Sequence, residues 1–179
     1  MHTLHYFAVE AQDKEEAFDL VQGRLSTEDG EKFVEWSDWH VVGGGRWSEN
    51  PNNQYNDSSE DVVSYAEDPE KFNNIIKGIK QNRIREMNRY LEQIKFEKLQ
   101  SDIVEYISND CVLPDSIRFT DLNAYHFKHV ADMLMDYYTP DSYFYDLVEY
   151  TAHMGYIKER LDNPEQAKLQ YLVPVDFHF

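Results

Sequence analysis

The chain has 179 residues, 41% of them hydrophobic, and a formal net charge of −17. That length suits one domain, or one domain with an appendage, and the apolar share is enough for a core. So negative a surface repels nucleic acid and anionic membrane and steers toward basic partners. One cysteine, Cys111, excludes an intramolecular disulfide and any cysteine-based zinc cluster, and reads as a small hydrophobe near a helix end.

The acid excess is uneven. Residues 1–70 carry 17 acids against 4 bases, residues 71–111 carry 6 against 8, and residues 112–179 carry 11 against 5. The negative charge therefore belongs mainly to the N-terminal module. No apolar run reaches membrane-spanning length, and Met1-His2-Thr3-Leu4-His5 lacks the regions of a secretion signal. The expected setting is a reducing cytoplasm.

In chain order, Thr3–Glu10 is rich in aromatic and β-branched residues and predicts a strand. Asp13 can cap a helix whose apolar positions Ala17, Phe18, Val21 and Leu25 keep helical spacing. A second strand is expected over Phe33–Val42, with Val34, Trp36, Asp38, His40 and Val42 on one face. After Gly43-Gly44-Gly45 a polar loop runs through residues 48–59, and Val62, Val63 and Tyr65 suggest a short strand.

Asp68-Pro69 is a helix start, an acid cap followed by proline at the first helical position. No breaker but Gly78 follows before Ser108-Asn109-Asp110, so one long helix is expected, bending near Gly78 or projecting into solvent. Thr120 opens a further helix. Thr139-Pro140 opens another that carries Leu147, Val148, Met154, Ile157 and Leu161 up to Asp162-Asn163-Pro164. Leu169–Phe179 alternates strongly, and Pro174 marks it as an edge strand.

The fold class implied is α+β: a small, mostly antiparallel sheet of N-terminal strands plus the C-terminal strand, with a helical insertion of one long helix and two shorter ones. The expected organisation is one compact domain. An acidic strand-helix-strand module spans 1–67, a helical subdomain 68–163, and a returning strand 164–179.

Chemistry concentrates in Asp38-Trp39-His40-Val41-Val42-Gly43-Gly44-Gly45-Arg46-Trp47. Three glycines let a backbone approach a ligand or present N–H groups to an anion, and Arg46 adds a planar fork. The run matches neither phosphate-binding glycine pattern, since no Lys-Ser/Thr and no helix follows directly. The plainer reading is a turn ending the strand, with the indoles packed beside it. Asp38 and His40 share a strand face and could act as an acid/base pair, although alternation alone produces that.

Other constellations are weaker. His126, His129, Asp132 and Asp136, facing Glu149 and His153 on a neighbouring helix, could hold a metal, but no Glu-x-x-His pair occurs. There is no Gly-x-Ser-x-Gly elbow. No cofactor is implied. The basic residues Lys71, Lys77, Lys80, Arg83, Arg85, Arg89, Lys95 and Lys98 could follow phosphates, yet neutralisation by the acidic module is favoured.

The run Asp38–Trp47, placed after a strand and a helix, resembles a pattern in small proteins of tailed bacteriophages. In these a strand ends in Asp-Trp, a few apolar residues, Gly-Gly-Arg and an aromatic. The likeness covers about the first quarter of the chain and departs by a third glycine. It implies a phage origin and, by analogy, action on host machinery or defence proteins.

The leading expectation is a non-enzymatic acidic protein that docks on and modulates a basic host protein. Its ligand- or partner-binding set is Trp36, Asp38, Trp39, His40, Gly43, Gly44, Gly45, Arg46 and Trp47. Alternatives are a DNA-mimic inhibitor, a small-molecule or nucleotide-binding protein or enzyme at the Gly43–Trp47 turn, and a virion structural protein with the long helix as an oligomerisation element.

Overall fold

A computed structural model of the chain describes residues 1–108, 118 and 122–179. Cys111, the Asn109-Asp110 stop and the Thr120 helix start lie outside them. Strand β1 (His2–Glu10) is followed by helix α1 (Lys14–Leu25). Asp13 caps α1 by accepting the Glu16 N–H at 2.9 Å, and the i, i+4 spacing of Ala17, Val21 and Leu25 buries one face.

The expected strand over Phe33–Val42 is mostly something else. Thr27 accepts the Gly30 N–H at 3.0 Å and starts a short helix, α2 (Glu28–Phe33). Glu28, Asp29 and Glu31 in its first turn suit the positive end of the helix dipole. The Ser37 N–H and hydroxyl then both donate to Val34 O at 2.9 Å, closing a turn. Only β2 (Trp39–Val42) is extended, because only there does the chain meet a strand to pair with.

That strand is β5 (Gln170–His178), and it is central rather than an edge. The order is β2-β5-β1-β4, with β3 (Val63–Ser64) also pairing β5 beside β2. Pro174 is tolerated because of where it stands. It lies opposite Tyr6, whose own N–H points away, to Tyr143 O at 3.0 Å. The missing Pro174 donor therefore faces the gap between the end of β2 and the start of β3, where no ladder bond is required.

A second correction concerns residues 139–161, expected as one helix. Ser142 Oγ accepts the Thr139 N–H at 2.9 Å and donates to Tyr137 O at 3.1 Å, folding a turn instead. Tyr143 has φ 57°, outside helical space. Phe144–Asp146 then forms β4, parallel to β1 and buried throughout. Helix survives only at its C-terminal end, as α6 (Gly155–Leu161), before α7 (Pro164–Ala167).

The long helix is also two. Helix α3 (Pro69–Gln93) starts at Asp68, which accepts the Lys71 N–H at 2.8 Å, and runs unbroken through Gly78. It ends at Ile94, buried and extended, after which the Lys95 N–H donates to Asn123 Oδ1 at 2.9 Å. Helix α4 (Phe96–Ser108) follows, then α5 (Asn123–Leu134), which packs on the second half of α3 through Tyr90, Ile94, Val130 and Met133. Among the described residues, no helix is long and apolar enough to cross a membrane.

The sheet is thus mixed, and the fold is α+β. One face carries Phe7, Val9, Val173, Val175 and Phe177 against Val21 and Leu25 of α1. The other carries Ala8, Phe144 and Leu172 against Phe72, Ile76 and Ile79 of α3. Phe7, Phe72, Phe144 and Phe177 are fully buried, each worth about 2–3 kcal/mol in apolar burial. Helix α3 covers only part of its face, and at the far end Trp39 is exposed and His2 and His178 are half-buried, beside the fully buried Asp176.

Candidate functional site

The open corner of the sheet is built by register. Pairing of Trp39 with His178 and of Val41 with Asp176, together with His2 opposite His178, brings these side chains to one face. Trp39 stacks on His178, with ring centroids 5.1 Å apart and planes 12° from parallel. His2 meets both edge-on, at 5.4 Å from Trp39 and 4.9 Å from His178. Asp38 joins through His178 Nδ1 at 3.3 Å.

The three glycines then reverse the chain with φ of 99°, 98° and 51°. A Cβ at Gly43 would lie 1.7 Å from Ser58 O, and one at Gly45 would lie 2.6 Å from the Asp176 Cβ. Only glycine permits both approaches. Three of the turn's donors are turned inward to the protein itself. The N–H groups of Gly43 and Gly44 donate to Pro174 O at 2.7 and 3.1 Å, and that of Arg46 to Asp176 Oδ2 at 3.0 Å. Asp176, fully buried, also takes His2 Nδ1 at 3.0 Å. The carboxylate of this chain thus occupies the place an anionic ligand would take.

The sequence-predicted residues divide. Trp36 is half-buried and packs against the core, on His5 at 5.3 Å and Phe177 at 4.8 Å. His40 turns to the α1 side of the sheet, against Phe177 at 5.6 Å, while Asp38 pairs with His178. They are therefore not joined as an acid/base pair. Burial holds the His40 imidazole below its ordinary pKa, against the pull of Asp57 and Glu31. Trp39, Arg46 and Trp47 are exposed, the indoles by 39% and 52%, and His2 lies beside both, 5.4 Å from Trp39 and sharing a groove with Trp47.

Sequence reasoning missed His2, Asp176 and His178. The alternation of residues 169–179 held the signal, since it sets the polar Asp176 and His178 opposite the apolar Val175 and Phe177. Beside the corner lies a groove of about 400 Å3 between the sheet and α3, walled by Trp47, Tyr6 and Tyr143 on one side and Ile75, Asn82 and Arg85 on the other. Burial, reinforced by Asp61, pushes the Tyr6 phenol up to about 12, so it stays a hydroxyl.

The histidine and acid pairs considered for metal are dispersed. His129 Nδ1 meets Asp141 at 3.2 Å and its ring stacks on Tyr90 at 4.5 Å. Asp132 pairs with Lys128, and Asp136 with Arg83. Glu149 and His153 no longer share a helix; Glu149 faces Arg160 and His153 faces Asp136. Among the described residues, no three His, Cys, Asp or Glu side chains gather as metal ligands.

Of the basic residues along α3 and α4, Lys71 meets an acid of the N-terminal module, Glu49 at 3.6 Å. Arg83 and Arg89 pair with Asp136 and Glu86 instead. Neutralisation by the acidic module is thus confined to the start of α3 among the described residues. Comparison of the chain with protein-family models, curated proteins and solved structures gives no match.

Proposed function

We propose that the chain is a non-enzymatic binding protein that docks on a basic protein partner through the corner formed by Trp39, Arg46 and Trp47. The observation that carries this reading is the pairing of two exposed indoles with a turn whose Gly43, Gly44 and Arg46 donors are satisfied internally. A rigid turn lowers the ordering cost of association, and Trp and Arg dominate interface energetics. Indole faces accept lysine and arginine cations. The following loop adds exposed Glu60, held by Asn50 and Asn53 at 2.8 Å.

The resemblance of residues 38–47 to small tailed-phage proteins supports a bacterial host protein as the partner. The test is affinity capture from bacterial lysate at low and high salt, with the Trp39→Ala/Trp47→Ala variant run in parallel. One stoichiometric basic protein, retained by the native chain at low salt and lost with the variant, is the expected result. Identical capture by a variant with an unchanged circular dichroism spectrum would sink the proposal.

A further inference from the structure

Helix α3 outruns the sheet. Its 25 residues extend about 37 Å at 1.5 Å per residue, and its early turns, through Ile79, lie on the sheet. Beyond them, Lys80, Arg83, Ile84 and Met87 recur at i, i+3, i+4 and i+7 and so form one stripe. That stripe faces Asp136, His153, Met154 and Lys158 across a cleft of about 380 Å3. The cleft shares no lining residue with the groove beside Trp47.

Its floor is pinned. Arg83 Nη1 donates to Ala152 O at 2.7 Å and Nη2 to Met133 O at 3.2 Å, tying α3 to both opposing segments. Asp136, held at φ 58°, sets one carboxylate oxygen 3.6 Å from Arg83 and the other 4.0 Å from His153 Nε2. Asp136, the one carboxylate lining the cleft among the described residues, is therefore matched by Arg83. Lys80 and Lys158 are exposed on the rim and meet no acid within ion-pair distance among the described residues. Between them lie Ile84, 61% exposed, and the thioethers of Met87 and Met154.

An apolar bed with two unneutralised ammonium groups at its rim complements a molecule that is apolar at one end and negative at the other. We propose that this cleft binds a small amphipathic carboxylate, with Lys80 and Lys158 holding the head and Ile84, Met87 and Met154 the body. A small anion seated in the cleft lies within about a Debye length of both rim ammonium groups. Methionine side chains adapt to apolar bodies of varied shape.

The test is a fluorescence titration of the whole chain with anilinonaphthalene sulfonate, followed by displacement with decanoate and, separately, with decanol. Saturable single-site binding displaced by decanoate far better than by decanol is expected. Affinity should fall about tenfold in the Lys80→Glu/Lys158→Glu variant, since two attractive charges become repulsive. It should fall as well in Ile84→Asp, which removes the apolar bed. Lys32→Glu, on α2 and paired with Glu28 at 2.9 Å, should bind as the native chain does. Urea midpoints close to native for the rim variant keep the comparison fair. Non-saturable binding, equal affinity in the rim variant, or equal displacement by decanol would overturn the proposal. So would a concentration-dependent dimer that the rim variant dissociates, because a second copy would then be the occupant.

Discussion

The buried carboxylate of Asp176 accepts the backbone N–H of Arg46 at 3.0 Å, joining the last strand to the glycine turn across 130 positions of sequence. Because His2 Nδ1 approaches the same carboxylate at 3.0 Å, one side chain ties both ends of the chain to the turn. Asp176→Ala leaves the Arg46 N–H without its acceptor, and should destabilise the fold by about 2–4 kcal/mol in urea unfolding. Asp176→Asn keeps an acceptor and should cost less than half as much. Equal losses for the two variants would mean that the hydrogen bond does not hold the turn.

The three glycines are not equivalent. Gly43→Ala drives a methyl to 1.7 Å from the Ser58 carbonyl, a backbone atom that cannot step aside. Gly44→Ala meets nothing nearer than 3.6 Å and bears only the strain of φ 98°. We expect about 1–3 kcal/mol for Gly44→Ala and more than about 4 kcal/mol, or no folded protein, for Gly43→Ala. Similar melting temperatures for the two would contradict this geometry.

His5 is fully buried among Trp36, Tyr138, Tyr143 and Phe177. Burial lowers its pKa from 6.5 to about 3, outweighing the upward pull of the Pro140 carbonyl and Asp141. Burial also keeps the Tyr138 phenol protonated, and its hydroxyl shares a hydrogen bond of 2.8 Å with His5 Nδ1. As pH falls from 6.5 toward 3 the unfolded chain takes up a proton that the folded chain refuses, so stability drops by up to about 1.4 kcal/mol per pH unit. His5→Asn retains an acceptor without the titration. Its unfolding free energy should vary less steeply with pH between 6.5 and 4 than that of the native chain, and parallel slopes would refute the assignment.

Arg160 is 6% exposed and reaches Asp146 at 2.5 Å and Gln170 Oε1 at 2.9 Å, with Glu10 and Glu149 at 3.6 and 3.8 Å. Asp146 also caps the turn after β4, accepting the N–H groups of Val148 and Glu149 at 3.0 and 3.2 Å. Removing one partner strands the other charge in the interior. Arg160→Met should cost about 3–5 kcal/mol, and Arg160→Met with Asp146→Asn should recover part of that loss. A double variant less stable than Arg160→Met alone would count against an ion-pair role.

Within the candidate site, the sequence made the glycine turn legible but not the exposure of its flanks, since the plainer reading packed the indoles beside the turn whereas Trp39 and Trp47 are 39% and 52% exposed. It could not separate Trp36 from them, because alternation does not say where a strand begins. Val34, Trp36, Asp38 and His40 fit one strand face as written, yet the Thr27 cap starts α2, and Val34 and Trp36 fall in the turn that follows it. Local hydrogen bonding competes with strand pairing there, and the outcome rests on whether β5 lies alongside.

What the sequence determined by itself is what acts within a few residues. The Asp13 and Asp68 caps, the spacing of Ala17, Val21 and Leu25, and the alternation in β1 and β5 are complete in their own segments. Tertiary structure decided the rest. Pro174 sits in a central strand because its missing donor faces a gap between two flanking strands. Residues 144–146 become strand because β1 offers an open edge, and α3 stops at Ile94 because Asn123 takes the next N–H. Each of these depends on a partner far away in sequence, and no local pattern can announce a partner's position in space.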